Sequence, residues 1–170
     1  MLIEELRGEI VAAARRPALY EAFEAPDRID GRFELLTLHA GLILRRLTAI
    51  GGMADEIAQD LVNCLFMHFD DTLREMGYPD VSVSKRLKKF KEAFYGRSEA
   101  YANALDSGSR ASLAEALARN VYGGDPEGLR KAGPLADHVA ALEAALSAIS
   151  LETFASGQFR YPEGPIPPGA

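Results

Sequence analysis

Apolar residues recur along most of this chain at three- and four-residue steps, the period of an amphipathic helix. Leu2, Leu6, Ile10 and Ala13 share one face of a helix expected over residues 2–15. Pro17 suits a first helical turn, where a missing N–H is no loss, and opens a short second helix through Phe23. After the turn Ala25-Pro26-Asp27-Arg28, Asp30 is placed to cap a third helix that ends near Ile50, before Gly51-Gly52. A fourth is expected from Ala54 to Met76, with Gly77 as its left-handed cap and Pro79 preventing resumption.

Ser82 or Ser84 is the expected cap of a long helix to about Leu105, followed by the loop Asp106-Ser107-Gly108-Ser109. Ser112-Leu113-Ala114-Glu115 has the spacing of a capping box and opens a helix to Tyr122. Gly123-Gly124-Asp125-Pro126 breaks the chain, with Asp125 as a cap and Pro126 at a first helical position, and a last long helix runs from Pro134 to about Ile149. The end, with Pro162, Pro165, Pro167 and Pro168, is incompatible with regular structure. No strict alternation and no internal repeat is found. The expected fold is all-α, a single-domain bundle of six to eight helices over residues 1–156, with an extended Pro/Gly-rich tail over 157–170.

Length and composition fit one globular domain with a real core: 170 residues, 48% hydrophobic and 26% charged. The lone cysteine, Cys64, can form neither an internal disulfide nor a thiolate zinc site, and reads as a small core residue. The start, Met1-Leu2-Ile3-Glu4-Glu5, is acidic and resembles neither a secretory signal nor an Arg-rich transit peptide. The most apolar stretch, Leu35 to Leu44, is interrupted by Thr37 and His39, closed by Arg45-Arg46, and too short for a bilayer span. The expectation is a cytoplasmic protein, at most peripheral to a membrane.

Charge changes the picture. The chain has a formal net charge of −6, yet residues 82–97 carry six Lys/Arg against one acid, Glu92. A pI near 5.1 argues against DNA as a ligand, because neutralising phosphates takes a broad basic surface. The local basic stretch is a different matter. On its helix Leu87, Phe90, Phe94, Tyr101 and Leu105 form the core-facing stripe, with Lys85 and Lys89 opposite it, Arg86 and Arg97 on one flank, and Lys88 and Lys91 on the other. A merely solvated face carries both signs; one sign alone costs a few tenths of a kcal/mol per neighbouring pair. We therefore expect a surface that attracts an anionic partner, through Lys85, Arg86, Lys88, Lys89, Lys91, Arg97 and Tyr101.

Other constellations are weaker. His68, Asp71 and Glu75 share a helix flank, but the Glu-x-x-His pairs of a dinuclear carboxylate site are missing. Asp70-Asp71 resembles the start of the aspartate-rich motif of all-α isoprenoid synthases, although Arg74 stands at the third acidic position. A bundle binding a lipid or prenyl chain, with magnesium on Asp70, Asp71 and Glu75, is the alternative reading. His39 is expected to be a core histidine bonded to a backbone carbonyl or carboxylate, Gly41 a point of close helix approach, and His138 exposed. No nucleophile elbow, phosphate-cradling loop or dinucleotide fingerprint is present. No catalytic residue, metal site or cofactor is expected.

The run Phe69-Asp70-Asp71-Thr72-Leu73-Arg74-Glu75-Met76-Gly77-Tyr78-Pro79-Asp80, continuing through Ser84-Lys85-Arg86-Leu87-Lys88-Lys89, resembles the signature of the ubiquinol–cytochrome c chaperone family. Ala93-Phe94-Tyr95-Gly96-Arg97 through Tyr101, the block Leu113 to Tyr122, and the Leu-His-Ala-Gly-Leu pattern within Leu35 to Leu47 agree with it in order and spacing, over roughly residues 33–122. The resemblance implies an assembly factor of respiratory complex III, not an enzyme. Its mitochondrial members act with a small partner subunit near the ribosomal exit tunnel and hold newly made cytochrome b. The implied partners are cytochrome b or another complex III component, with an anionic membrane surface or the ribosome as docking site. Motif residues carried over are Asp71, Arg74, Glu75, Gly77, Asp80, Gly96 and Asn120, besides Lys85, Lys89, Arg97 and Tyr101. Gly77 reads as a helix cap, Gly96 as a close packing contact, and Asp71 and Arg74 as a surface pair or a brace for the following turn. Without a targeting presequence the chain reads as a bacterial member, at the cytosolic face of the inner membrane.

Overall fold

In the computed structural model, which describes residues 2–168, the chain forms eight helical segments and, among the described residues, no strand. They are α1 (Leu2–Ala14), α2 (Pro17–Glu21), α3 (Ile29–Ile50), α4 (Met53–Glu75), α5 (Asp80–Ser107), α6 (Arg110–Asn120), α7 (Gly128–Ser147) and α8 (Leu151–Ala155). The all-α single domain expected from the periodicity is what forms.

Helix α3 is the axis of the bundle, packed by α1, α4, α5 and α7. Four consecutive residues, Thr37, Leu38, His39 and Ala40, are buried, so water is excluded from every side of the helix there. The expected close approach at Gly41 is present: a Cβ at this position would lie 3.2 Å from Ser98 Oγ and 3.8 Å from Ser98 Cα, so a larger residue would require the Ser98 hydroxyl to give way. His39 is a core histidine, its Nδ1–H donating to Leu35 O at 2.7 Å. Burial is the main reason its pKa falls to about 4.

Several boundaries differ from the sequence reading, each for a local reason. Arg28, not Asp30, is the N-cap residue of α3, and Asp30 lies in the first turn. Helix α5 starts at Asp80 behind Pro79, and neither Ser82 nor Ser84 caps it. The cap of α6 is Ser109, whose hydroxyl accepts the Ser112 N–H at 3.1 Å, so Ser112 sits inside the helix. Pro126 stays in a turn in which Asp125 Oδ1 accepts the Glu127 N–H. Pro134 lies inside α7, which begins at Gly128. The proline is tolerated because the carbonyl it cannot reach, on Arg130 one turn earlier, belongs to an exposed residue that water can serve. Ser150 caps the unanticipated α8 by accepting the Thr153 N–H.

The C-terminal segment lacks regular structure as far as Pro167, as its prolines require, but it is docked on the bundle. Phe159 and Tyr161 are buried, 2% and 3% exposed, because alternate residues of an extended chain face the same way. The Tyr161 hydroxyl donates to His39 O at 2.8 Å, its N–H to Glu9 Oε2, and the Arg16 guanidinium holds the Tyr161 and Pro162 carbonyls. His138, expected at the surface, is 5% exposed under this segment, its Nδ1–H donating to Pro165 O at 2.8 Å.

All three histidines have pKa values lowered chiefly by burial, so the unfolded chain binds protons that the folded one does not. Stability should therefore be lost as pH falls below the ordinary histidine pKa of 6.5 toward about 4. From His39 alone, urea unfolding at pH 5 should give an unfolding free energy about 2 kcal/mol below that at pH 7.5. A His39→Gln variant should show a shallower pH dependence.

Candidate partner-binding surface

The basic face is built by the amphipathic first half of α5. Val83, Phe90 and Phe94 are buried in the core, and Leu87 is half-buried beside them. Lys85, Arg86, Lys88, Lys89 and Lys91 are thereby turned to solvent. None of the five makes an ion pair among the described residues. Arg86 lies 4.2 Å over the Tyr78 ring and Lys91 Nζ 5.2 Å over the Phe66 ring, so two of the five cations stand against aromatic faces.

The corner between α4 and α5 fixes where that face begins. Gly77, at φ +88°, closes α4: its N–H donates to Arg74 O and the Tyr78 N–H to Leu73 O. Arg74 pairs with Asp70 at 2.8 Å and with Asp80, bracing the turn; Asp71 is not its partner and is exposed, as is Glu75. Gly96 is exposed and a Cβ there would meet nothing within 4 Å, so the packing contact expected of it is absent.

Two residues of the expected binding set point elsewhere. Arg97 Nε contacts both carboxylate oxygens of Glu34, at 2.8 and 2.7 Å, and Glu34 is only 7% exposed. Burial pushes the Glu34 carboxyl above the usual range, opposed by the Arg97 hydrogen bond. Tyr101 is 3% exposed, and burial raises its hydroxyl pKa, with Glu34, Asn120 and Arg97 the charged and polar groups acting on it. Its hydroxyl makes no hydrogen bond of normal geometry. Arg97, Tyr101 and Asn120 thus gather at the α3–α5–α6 junction, away from the lysines.

Next to the basic face lies a feature that the sequence does not announce. A groove of about 840 Å³ runs between α3, α4 and α5, with α7 at one end. Leu42, Leu44, Ala58, Val62, Phe94 and Tyr95 give it apolar walls, and Arg45, paired with Asp106 at 2.7 Å and Glu143 at 3.2 Å, lies on its rim. Tyr95 is 53% exposed at its edge, and Phe66 beneath Lys91 packs edge-on against the Tyr95 ring. Basic face and groove therefore meet through the contacts Lys91–Phe66–Tyr95. These wall residues come from three helices, so only their periodicity was visible in sequence.

The acidic flank lends no support to a prenyl-chain or magnesium site. Asp70 is held by Arg74, His68 Nδ1 faces Arg7 Nη1 at 3.3 Å, and neither Asp71 nor Glu75 lines the groove. Among the described residues no three His, Cys, Asp or Glu side chains converge as a metal site, and no helix is long and apolar enough to cross a membrane.

Comparison with known proteins agrees with the sequence motifs. A family model described as ubiquinol-cytochrome C chaperone matches residues 21–161. The crystal structure of the Cbp3 homolog from Brucella abortus superposes with a TM-score of 0.82 at 35% identity, covering 95% of this chain and 89% of that one. No curated protein matches the chain.

Removing Arg97 leaves a buried carboxylate without its partner. The Arg97→Ala variant should lose about 2–3 kcal/mol of unfolding free energy at pH 7, whereas Lys85→Ala should stay within about 0.5 kcal/mol of the parent. Urea denaturation of both variants checks the difference.

Proposed function

The chain belongs to the ubiquinol–cytochrome c chaperone family, and we propose that it is an assembly chaperone for ubiquinol–cytochrome c reductase, assisting cytochrome b rather than catalysing a reaction. The observation that carries this reading is the adjacency of a one-signed basic face and an apolar groove. The two surfaces divide the work a chaperone of a membrane-bound client needs. The groove shields an apolar client segment from water, with a driving force of about 25 cal/mol per Å² of apolar surface covered. The lysines bring the chaperone to an anionic site where the client emerges.

Electrostatics alone gives weak attachment. Each Lys or Arg near an anionic bilayer contributes about 1 kcal/mol, and salt screens it within about 10 Å. Affinity on this reading comes from the groove, while the basic face sets location and encounter rate. Lys85, Arg86, Lys88, Lys89 and Lys91 are the docking residues. Arg97, Tyr101 and Asn120 contribute through the architecture of the α3–α5–α6 junction, and Arg74, Gly77 and Asp80 through the corner that aims α5. Asp71 and Glu75 are exposed on the His68 flank of α4, which faces Arg7 of α1, and stand outside the basic face. The corresponding location is the cytoplasmic side of the inner membrane, with the protein bound peripherally.

Reversing Lys85, Lys88 and Lys89 to Glu should abolish salt-sensitive co-sedimentation with anionic vesicles or ribosomes while leaving the melting temperature within a few degrees. In a deletion strain, the parent gene should restore cytochrome b and complex III, and the triple variant should not. Normal complex III in the deletion strain would refute the assembly role; unchanged sedimentation of the variant at low salt would refute only the docking face.

A further inference from the structure

A second cavity, of about 400 Å³, opens at the α3–α5–α6 junction, away from the lysines and the groove. Its wall brings together three arginines that the sequence keeps far apart: Arg28 at the start of α3, Arg97 on α5 and Arg119 at the end of α6. Arg28 and Arg119 are exposed and make no ion pair among the described residues. Arg97 gives only its Nε to Glu34, and its two Nη groups make no hydrogen bond there. The facing acids, Asp30 and Glu34, leave an excess of positive charge, and Glu34 is already engaged by Arg97.

Backbone and neutral donors add to this. Arg28 is the N-cap of a 22-residue helix and caps it with no side-chain bond, so the N–H groups of the first turn at Asp30 and Gly31 lack a side-chain acceptor beside the cavity. Gly31 makes the wall possible, since a Cβ there would fall 1.9 Å from Pro26 O. Asn120 also lines the cavity. Tyr101, 3% exposed and not itself on the cavity wall, has Glu34, Asn120 and Arg97 as the polar and charged groups nearest its hydroxyl.

We propose that this cavity binds a small molecule carrying an oxyanion, a phosphate or a carboxylate. Planar guanidiniums and an uncapped helix start suit such a group, and the volume suits a compact metabolite. The inference is independent of the chaperone role and uses none of the residues assigned to docking.

The test is an NMR titration of the full chain with inorganic phosphate and with malonate, against sodium chloride at matched ionic strength. Saturable shifts of the Gly31 amide and the Asn120 side-chain amide are expected, with dissociation constants in the millimolar range or tighter. The stronger of the two probes identifies the ligand as a phosphate ester or a carboxylate. The Arg28→Ala/Arg119→Ala double variant should bind about tenfold more weakly or worse. Both side chains are exposed, so its melting temperature should hold; should it not, Arg28→Gln alone must show the weakening. A Lys85→Ala/Lys88→Ala control should bind like the parent. Absence of saturable shifts with both probes, full affinity in the arginine variants, or equal loss in the lysine control would overturn the proposal.

Discussion

The bundle is arranged around a helix whose central turn, Thr37 to Ala40, is shut off from water. Thr37, Leu38, His39 and Ala40 are buried in succession, so α3 has no solvent side at its centre and each polar group on it must be satisfied from within. His39 donates to the carbonyl one turn back, and the carbonyl of His39 itself accepts the Tyr161 hydroxyl. Glu34 is met by Arg97 from α5. These polar contacts tie α5 and the C-terminal segment to the axis, and apolar packing alone would not fix their register so narrowly. Thr37 Oγ1 is the exception, buried without a partner.

The functional surfaces follow from that arrangement. Helix α5 packs on α3 at Gly41, and it is long enough to be core on one side and basic on the other along its first half. The groove lies between α3, α4 and α5, with Gly41 and Ser98 in its wall. The arginine-lined cavity lies between the start of α3, α5 and the end of α6. Their chemistry differs because Leu and Val line the first while helix termini and arginines line the second.

The motif residues divide along the same physical lines. Gly77, Arg74 and Asp80 build a corner, with a left-handed backbone and two ion pairs that hold the start of α5. Buried Tyr101 and half-buried Arg97 and Asn120 form a polar junction. Lys85, Arg86, Lys88, Lys89 and Lys91 make no ion pair among the described residues, and only Arg86 and Lys91 stand against aromatic rings, Tyr78 and Phe66. Their concentration on one face costs some helix stability through repulsion, which is the physical reason to assign them to an interaction.

What the sequence determined by itself is what short-range physics controls. Helical period, the glycine that ends α4, the core stripe Phe90–Phe94–Tyr101 and the outward lysines all depend on residues within a few turns of each other, and all were legible. The same reasoning slipped where neighbouring residues compete for one role: Ser109 rather than Ser112 caps α6, and Pro134 lies within α7 rather than at its start. Only the tertiary structure decided which polar residues meet. Arg97 and Glu34 are 63 positions apart, Tyr161 and His39 122 apart, and no local pattern distinguishes Arg97 from the exposed lysines before it. Burial of Phe159 and Tyr161, the groove and the arginine-lined cavity depend likewise on how helices cross. That is settled by packing over the whole chain and has no signature in any short stretch of it.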